Sequence, residues 1–128
     1  MTNIVIDTNI FVSAALSPNG TPAKIASLIS STDQVKVFYS KTILTEYKRV
    51  LAYERLNIAK KTQDGIINKL QKFGIMIEPP ASTMPMPDET DRIFYDTAKA
   101  SGAILITGNT KHFPSEPFIM KPAEFLER

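Results

Sequence analysis

Cysteine is absent, so disulfides and thiolate metal sites are excluded. Histidine occurs once, at His112, which rules out acid–base chemistry by a histidine pair. The five glycines, Gly20, Gly65, Gly74, Gly102 and Gly108, form neither a G-x-G-x-x-G fingerprint nor a P-loop, so a glycine-rich nucleotide site is not expected. No apolar run approaches the length of a membrane span. The start of the chain has no basic region followed by a long apolar segment, so no secretory signal and a cytoplasmic location are expected. A net charge of +2 neither marks nor excludes a nucleic-acid binder.

What is present suits one folded domain over residues 1–128: 43% hydrophobic and 22% charged residues. Apolar runs predict strands at 3–7, 35–40, 75–78, 103–107 and 118–120. Helical spacing predicts helices at 10–16, 23–29, 41–54, 60–73 and 88–101, with a last turn at 122–127. Thr21 and Ser40 are candidate N-caps, and Gly74 and Gly102 end helices. In the 41–54 helix Ile43, Tyr47, Val50, Leu51 and Glu54 share a side, with Glu46 at its border. Residues 79–87 hold four of the nine prolines and read as an extended connector. No internal repeat is visible. Alternating short strands and helices indicate an α/β fold with a mainly parallel sheet, whose ligands bind beyond the carboxyl ends of the strands.

Asp7 is the anomaly. It stands between the apolar runs Ile4–Ile6 and Ile10–Leu16, where an ionised carboxylate is costly. At a strand end it can face a cleft, and Asn109 holds the equivalent place after the 103–107 strand. Asp91, on the side of its helix that carries Phe94 and Ala98, and Glu46, near the start of its own, would approach Asp7 if both helices pack in the usual direction. Three crowded carboxylates repel one another, and a divalent cation resolves the conflict. Oxygen ligands alone select Mg²⁺ or Mn²⁺ over zinc. Ordinary readings stand beside these. Asp88 and Asp91 fit a D-x-x-D helix cap, Glu46 a solvated border, Asn109 a turn, and Asp96 and His112 the surface.

Four segments, "IVIDTNIFVSA", "ILTEYKRVL", "PDETDRIFYDTAKASGA" and "LITGNTKHFP", occur in an order that resembles the PIN domain, a family of metal-dependent ribonucleases. The end of the chain is similar to the branch identified as toxins of type II toxin–antitoxin pairs. The resemblance implies a three-layer α/β/α fold and places Asp7, Glu46 and Asp91 in a Mg²⁺ or Mn²⁺ site. It puts Asn109 at the fourth, usually acidic, catalytic position, which removes a charge and favours one metal over two. Asp88 corresponds to an additional acidic residue, and Thr8 and Thr107 to hydrogen-bonding support. The implied reaction is hydrolysis of RNA to 5′-phosphate and 3′-hydroxyl products. The implied partners are RNA, a small antitoxin protein and a second copy of the chain, with no membrane.

Cationic contacts to RNA have candidates in Lys48, Arg49, Arg55, Lys60, Lys61, Arg92 and Lys111, and stacking contacts in Tyr47, Tyr95 and Phe113; for the first two tyrosines, core packing is the competing expectation. Two other functions remain open on the residues alone. A haloacid dehalogenase-type phosphatase also places Asp at the end of its first strand, but it needs a second Asp where Asn9 stands. A non-catalytic PIN-like module that binds RNA or protein is the other.

Overall fold

The computed structural model describes residues 1–128. Five strands, β1 (Thr2–Ile6), β2 (Val35–Tyr39), β3 (Ile75–Met76), β4 (Ile104–Ile106) and β5 (Ile119–Met120), form one sheet in the order β3-β2-β1-β4-β5. Every pairing is parallel, with Ile4 opposite Val37 on one side and Ile104 on the other. Six helices connect and cover them: α1 (Thr8–Leu16), α2 (Thr21–Ser31), α3 (Lys41–Leu51), α4 (Lys60–Phe73), α5 (Arg92–Ser101) and α6 (Pro122–Leu126).

Successive strand residues point to opposite faces of a sheet. Ile4, Val5 and Ile6 are all fully buried, so both faces are covered and the layers are α/β/α. The chain runs outward from β1 through β2 to β3, then crosses back to start again at β4 on the other side of β1. That reversal opens a crevice beyond the carboxyl ends of β1 and β4.

The expected elements are present with shifted ends. Ser40 caps α3 by accepting the Ile43 N–H at 3.1 Å. Gly20, not Thr21, holds the N-cap position of α2, which begins two residues before the predicted start because Pro22 suits the first helical turn. The helix predicted to reach residue 54 stops at Leu51. Glu54 lies in a separate 3₁₀ turn, Glu54–Leu56, closed by Asn57 in the left-handed conformation (φ 52°), and so leaves the apolar stripe. The 88–101 helix starts as a 3₁₀ turn, Glu89–Asp91, before α5.

Asp96 contradicts the surface expectation. It is buried, and its Oδ2 accepts the Ser82 N–H at 3.1 Å. Arg92 Nη1 donates to the Ser82 carbonyl and hydroxyl, both at 2.9 Å. The proline-rich connector is therefore laid across α5, and it covers the face that helical spacing alone assigns to solvent. The same clamp holds the segment that delivers Asp88 and Asp91 to the crevice.

Candidate active site

Asp7 and Thr107 each follow the last residue of a strand, yet the sheet still holds them. The Asp7 N–H donates to the Ile106 carbonyl at 2.9 Å, and the Thr107 N–H to the Met120 carbonyl at 3.1 Å. The Thr107 hydroxyl donates to Asp7 Oδ2 at 2.7 Å and accepts the Asn109 N–H at 3.1 Å. One hydroxyl thus links the ends of β1 and β4 and fixes one oxygen of the carboxylate. Asp7 is 7% exposed. Burial pushes its carboxyl above the usual range, Glu46 adds to the rise, and the hydrogen bonds from Thr107 and the Thr8 backbone oppose it.

Glu46 is aimed by its neighbours in α1 and α3. The Thr8 hydroxyl donates to its Oε2 at 2.5 Å. Tyr47, next in sequence, is fully buried, and its hydroxyl donates to the Ile6 carbonyl at the end of β1. Its ring meets Phe11 of α1 edge-on at 4.8 Å and Phe94 of α5 at 6.2 Å. Arg49 stands 3.8 Å from Glu46 Oε1, on the exposed side.

Asp91 has no partner adequate to its charge. Its Oδ2 is buried and accepts no hydrogen bond. The nearest cation-capable group, His112 Nδ1, is 3.8 Å away, too far for one. Burial, followed by the charges of Asp7 and Asp88, raises its pKa to about 6, with His112 opposing and Glu46 adding. It also makes no side-chain cap bond to α5, so the helix-cap reading fails for this residue. Asp88 does act as a cap. It accepts the Thr90 N–H at 3.0 Å and the Thr90 hydroxyl at 2.8 Å, and these bonds hold its pKa below the usual value.

His112 is exposed, as expected, yet its ring faces Asp91 and Asn109. It ends the 3₁₀ turn Thr110–His112, with Nε2 3.0 Å from Asn109 Nδ2. If that amide donates, Nε2 is the acceptor and the neutral ring carries its proton on Nδ1, toward Asp91. Asn109 Oδ1 accepts the Lys111 N–H at 3.3 Å. The N-x-x-H spacing at 109–112 was the available sequence signal for this placement.

The crevice therefore gathers Asp7, Glu46, Asp91 and Asn109, with Thr8, Thr107 and His112 around them. No three of its acidic or histidine side chains are close enough to grip a single ion as they stand. Asp7 leans on Thr107 and Glu46 on Thr8 instead, while Asp91 Oδ2 has no hydrogen-bond partner. The donor set nevertheless fits a hard divalent cation: the ligands are oxygen, burial and then neighbouring carboxylates raise the pKa values of Asp7 and Asp91, and one buried oxygen is orphaned. Of the contact candidates, Phe113, Tyr47 and Tyr95 are core residues and cannot stack on a base. Arg92 is committed to Glu89 and Ser82. Lys60 pairs with Asp64 at 3.0 Å. Lys48, Arg49, Arg55, Lys61 and Lys111 remain exposed.

The sequence model of the family described as "PIN domain" matches residues 3–111. Uncharacterized protein MJ1680 of Methanocaldococcus jannaschii is 34% identical over 109 residues, covering 83% of this chain and 70% of that protein. Among solved structures, PAE2754 from Pyrobaculum aerophilum superposes with a TM-score of 0.63 at 15% identity, covering 99% of this chain and 88% of that one. VapBC2 from Rickettsia felis, bound to a DNA fragment from their promoter, superposes with a TM-score of 0.58 at 16% identity, covering 94% and 97%. At such identities the two structures establish the fold alone.

Asp91 gives a measurable consequence. Its folded pKa is above its ordinary value of 3.8, so the folded state holds an extra proton between about pH 4 and 6. Its contribution to stability is best below that window and is lost as pH rises through 6. In chelator, Asp91→Asn should therefore melt higher than wild type above pH 6, by on the order of 1–2 kcal/mol, and the gap should close toward pH 4. Thermal melts across that range check it. Equal melting of the two proteins throughout would show that Asp91 carries no such strain.

Proposed function

We propose, from the premise that this chain belongs to the PIN domain family, that it is a Mg²⁺- or Mn²⁺-dependent endoribonuclease. The observation that supports this best is the orphaned Asp91 oxygen in a crevice shared with Asp7 and Glu46. Asp7, Glu46 and Asp91 would hold the metal. When bound, a divalent ion supplies Lewis-acid polarisation of a phosphate oxygen and a water acidic enough to act as nucleophile.

The chain's own residues prepare the rest. Thr107 keeps one Asp7 oxygen fixed and leaves the other for ligation. Thr8 restrains Glu46, so that little side-chain freedom is lost when the site fills. The Asn109 amide, set by His112 and the Lys111 N–H, is available to orient water or phosphate without adding a fourth negative charge. Exposed Lys48, Arg49, Arg55, Lys61 and Lys111 supply cations for the RNA backbone.

The toxin–antitoxin reading follows from the resemblance and from the VapBC2 neighbour. The proposed partner is a small antitoxin protein, and the proposed assembly a homodimer. A groove of about 400 Å³ between α1, α2 and α4, lined by Phe11, Ala15, Ala26 and Ile66, offers an apolar surface for a partner. No helix is long and apolar enough to cross a membrane, and the proposed site of action is the cytoplasm.

Purified protein should cleave a panel of defined RNAs with Mg²⁺ or Mn²⁺ and not in chelator. Asp7→Asn should remove at least about a hundredfold of that rate while keeping the fold. Cleavage that persists in excess chelator would contradict the metal mechanism. Metal-independent RNA binding without turnover would favour the non-catalytic module, and an acyl-phosphate trapped on Asp7 the phosphatase. Co-expression with the product of the adjacent small reading frame should yield a complex with reduced cleavage. A protein that captures no such product and is harmless when overproduced would not be a toxin.

A further inference from the structure

A second cavity, of about 310 Å³, lies beside the acidic crevice toward β5. It is bounded by the first turns of α1 and α2, by Gly108 after β4 and by the start of α6. Two of its wall residues are chain neighbours of crevice residues: Asn9 follows Thr8, and Gly108 precedes Asn109. The cavity therefore adjoins the crevice at these two points of the chain.

Its polar lining is Asn9, Ser13, Thr21 and Lys121. No hydrogen bond or ion pair of the protein occupies these four side chains; Lys121 is engaged through its backbone N–H, which donates to Glu124. Buried Ile10 and Pro122 give the cavity an apolar wall. A Cβ added at Gly108 would meet nothing within 4 Å, so that wall is open.

We propose that this cavity receives one base of a single-stranded RNA, that of a nucleotide flanking the phosphate held in the crevice, with Lys121 on the adjoining phosphate. This rests on the ribonuclease reading above. Single-stranded RNA is read by splaying bases into pockets where their faces pack and their edges form hydrogen bonds. The Asn9 amide carries both donors and an acceptor, the complement that a base edge requires, and the two hydroxyls adapt to either. The cavity lies at the lower end of the range of about 300–1,000 Å³ typical of small-ligand sites. The one charged group in the lining is the Lys121 cation, which suits the phosphate that joins neighbouring nucleotides.

The test is equilibrium binding in chelator, read by fluorescence anisotropy, with short labelled homopolymers of A, C and U and an abasic ribose-phosphate oligomer of equal length. Wild type should bind its preferred homopolymer about tenfold more tightly than the abasic chain. Asn9→Ala, and Ser13→Phe which fills the cavity, should lose most of that ratio while melting as wild type does. Lys121→Ala should lower the slope of log affinity against log salt by about 0.7, one phosphate contact on a single strand. Equal affinity of wild type for every chain, no binding of any, or a base preference unchanged in Asn9→Ala would overturn the proposal. Because binding is read without turnover, failure of Mn²⁺-dependent cleavage in a parallel assay would overturn the nuclease reading separately.

Discussion

Tyr47 is where the acidic elements of this fold meet. Its ring packs against Phe11 of α1 and Phe94 of α5, and its hydroxyl closes on the Ile6 carbonyl, one residue before Asp7. A buried phenol needs an acceptor, and the end of β1 provides it. The same contact sets the rotation of α3, and with it Glu46, the residue before Tyr47. Phe94, three residues after Asp91, fixes α5 against the other side of the ring. One aromatic side chain thus ties together the elements that carry Asp7, Glu46 and Asp91.

Above this cluster, carboxylates are held where they are uncomfortable. Asp7 is compensated by Thr107, Glu46 by Thr8, and Asp91 by very little. Burial and like charge both raise the Asp91 pKa, so the metal-free protein carries electrostatic strain at its crevice. The buried Ile4–Ile6 of β1 and Leu105 and Ile106 of β4 beneath can bear it. Local strain of this kind, supported by a rigid sheet, is a recurrent property of functional sites.

Much of this was legible in the sequence, because periodicity reports which face of an element is buried and strand ends report where an α/β sheet opens. Asp7 stood out for that reason. The α4 helix matches its predicted bounds, residues 60–73, and Ser40 is the cap that its place before α3 implies. Asp96 and Arg92 were misread because their surroundings are supplied by a connector ten or more residues away, and local spacing carries no trace of it. The exposure of His112 follows from its place in a loop, but its neighbours do not. Its distance to Asp91 depends on how the turn after β4 folds back, which one residue type in a loop does not reveal. Asp88 and Asp91 look alike in sequence, yet one caps its turn and the other does not.

The central claim is that the orphaned Asp91 carboxylate, with Asp7 and Glu46, is a divalent-cation site. Calorimetric titration of Mn²⁺ near pH 6, in buffers of different ionisation enthalpy, tests it directly. Asp91 is about half protonated at that pH, so a cation that binds it must displace the proton. The account predicts saturable binding of a single ion per chain with release of roughly half a proton, and loss of both affinity and proton release in Asp91→Asn. Binding of equal strength in Asp91→Asn, or binding by wild type without proton release, would contradict it.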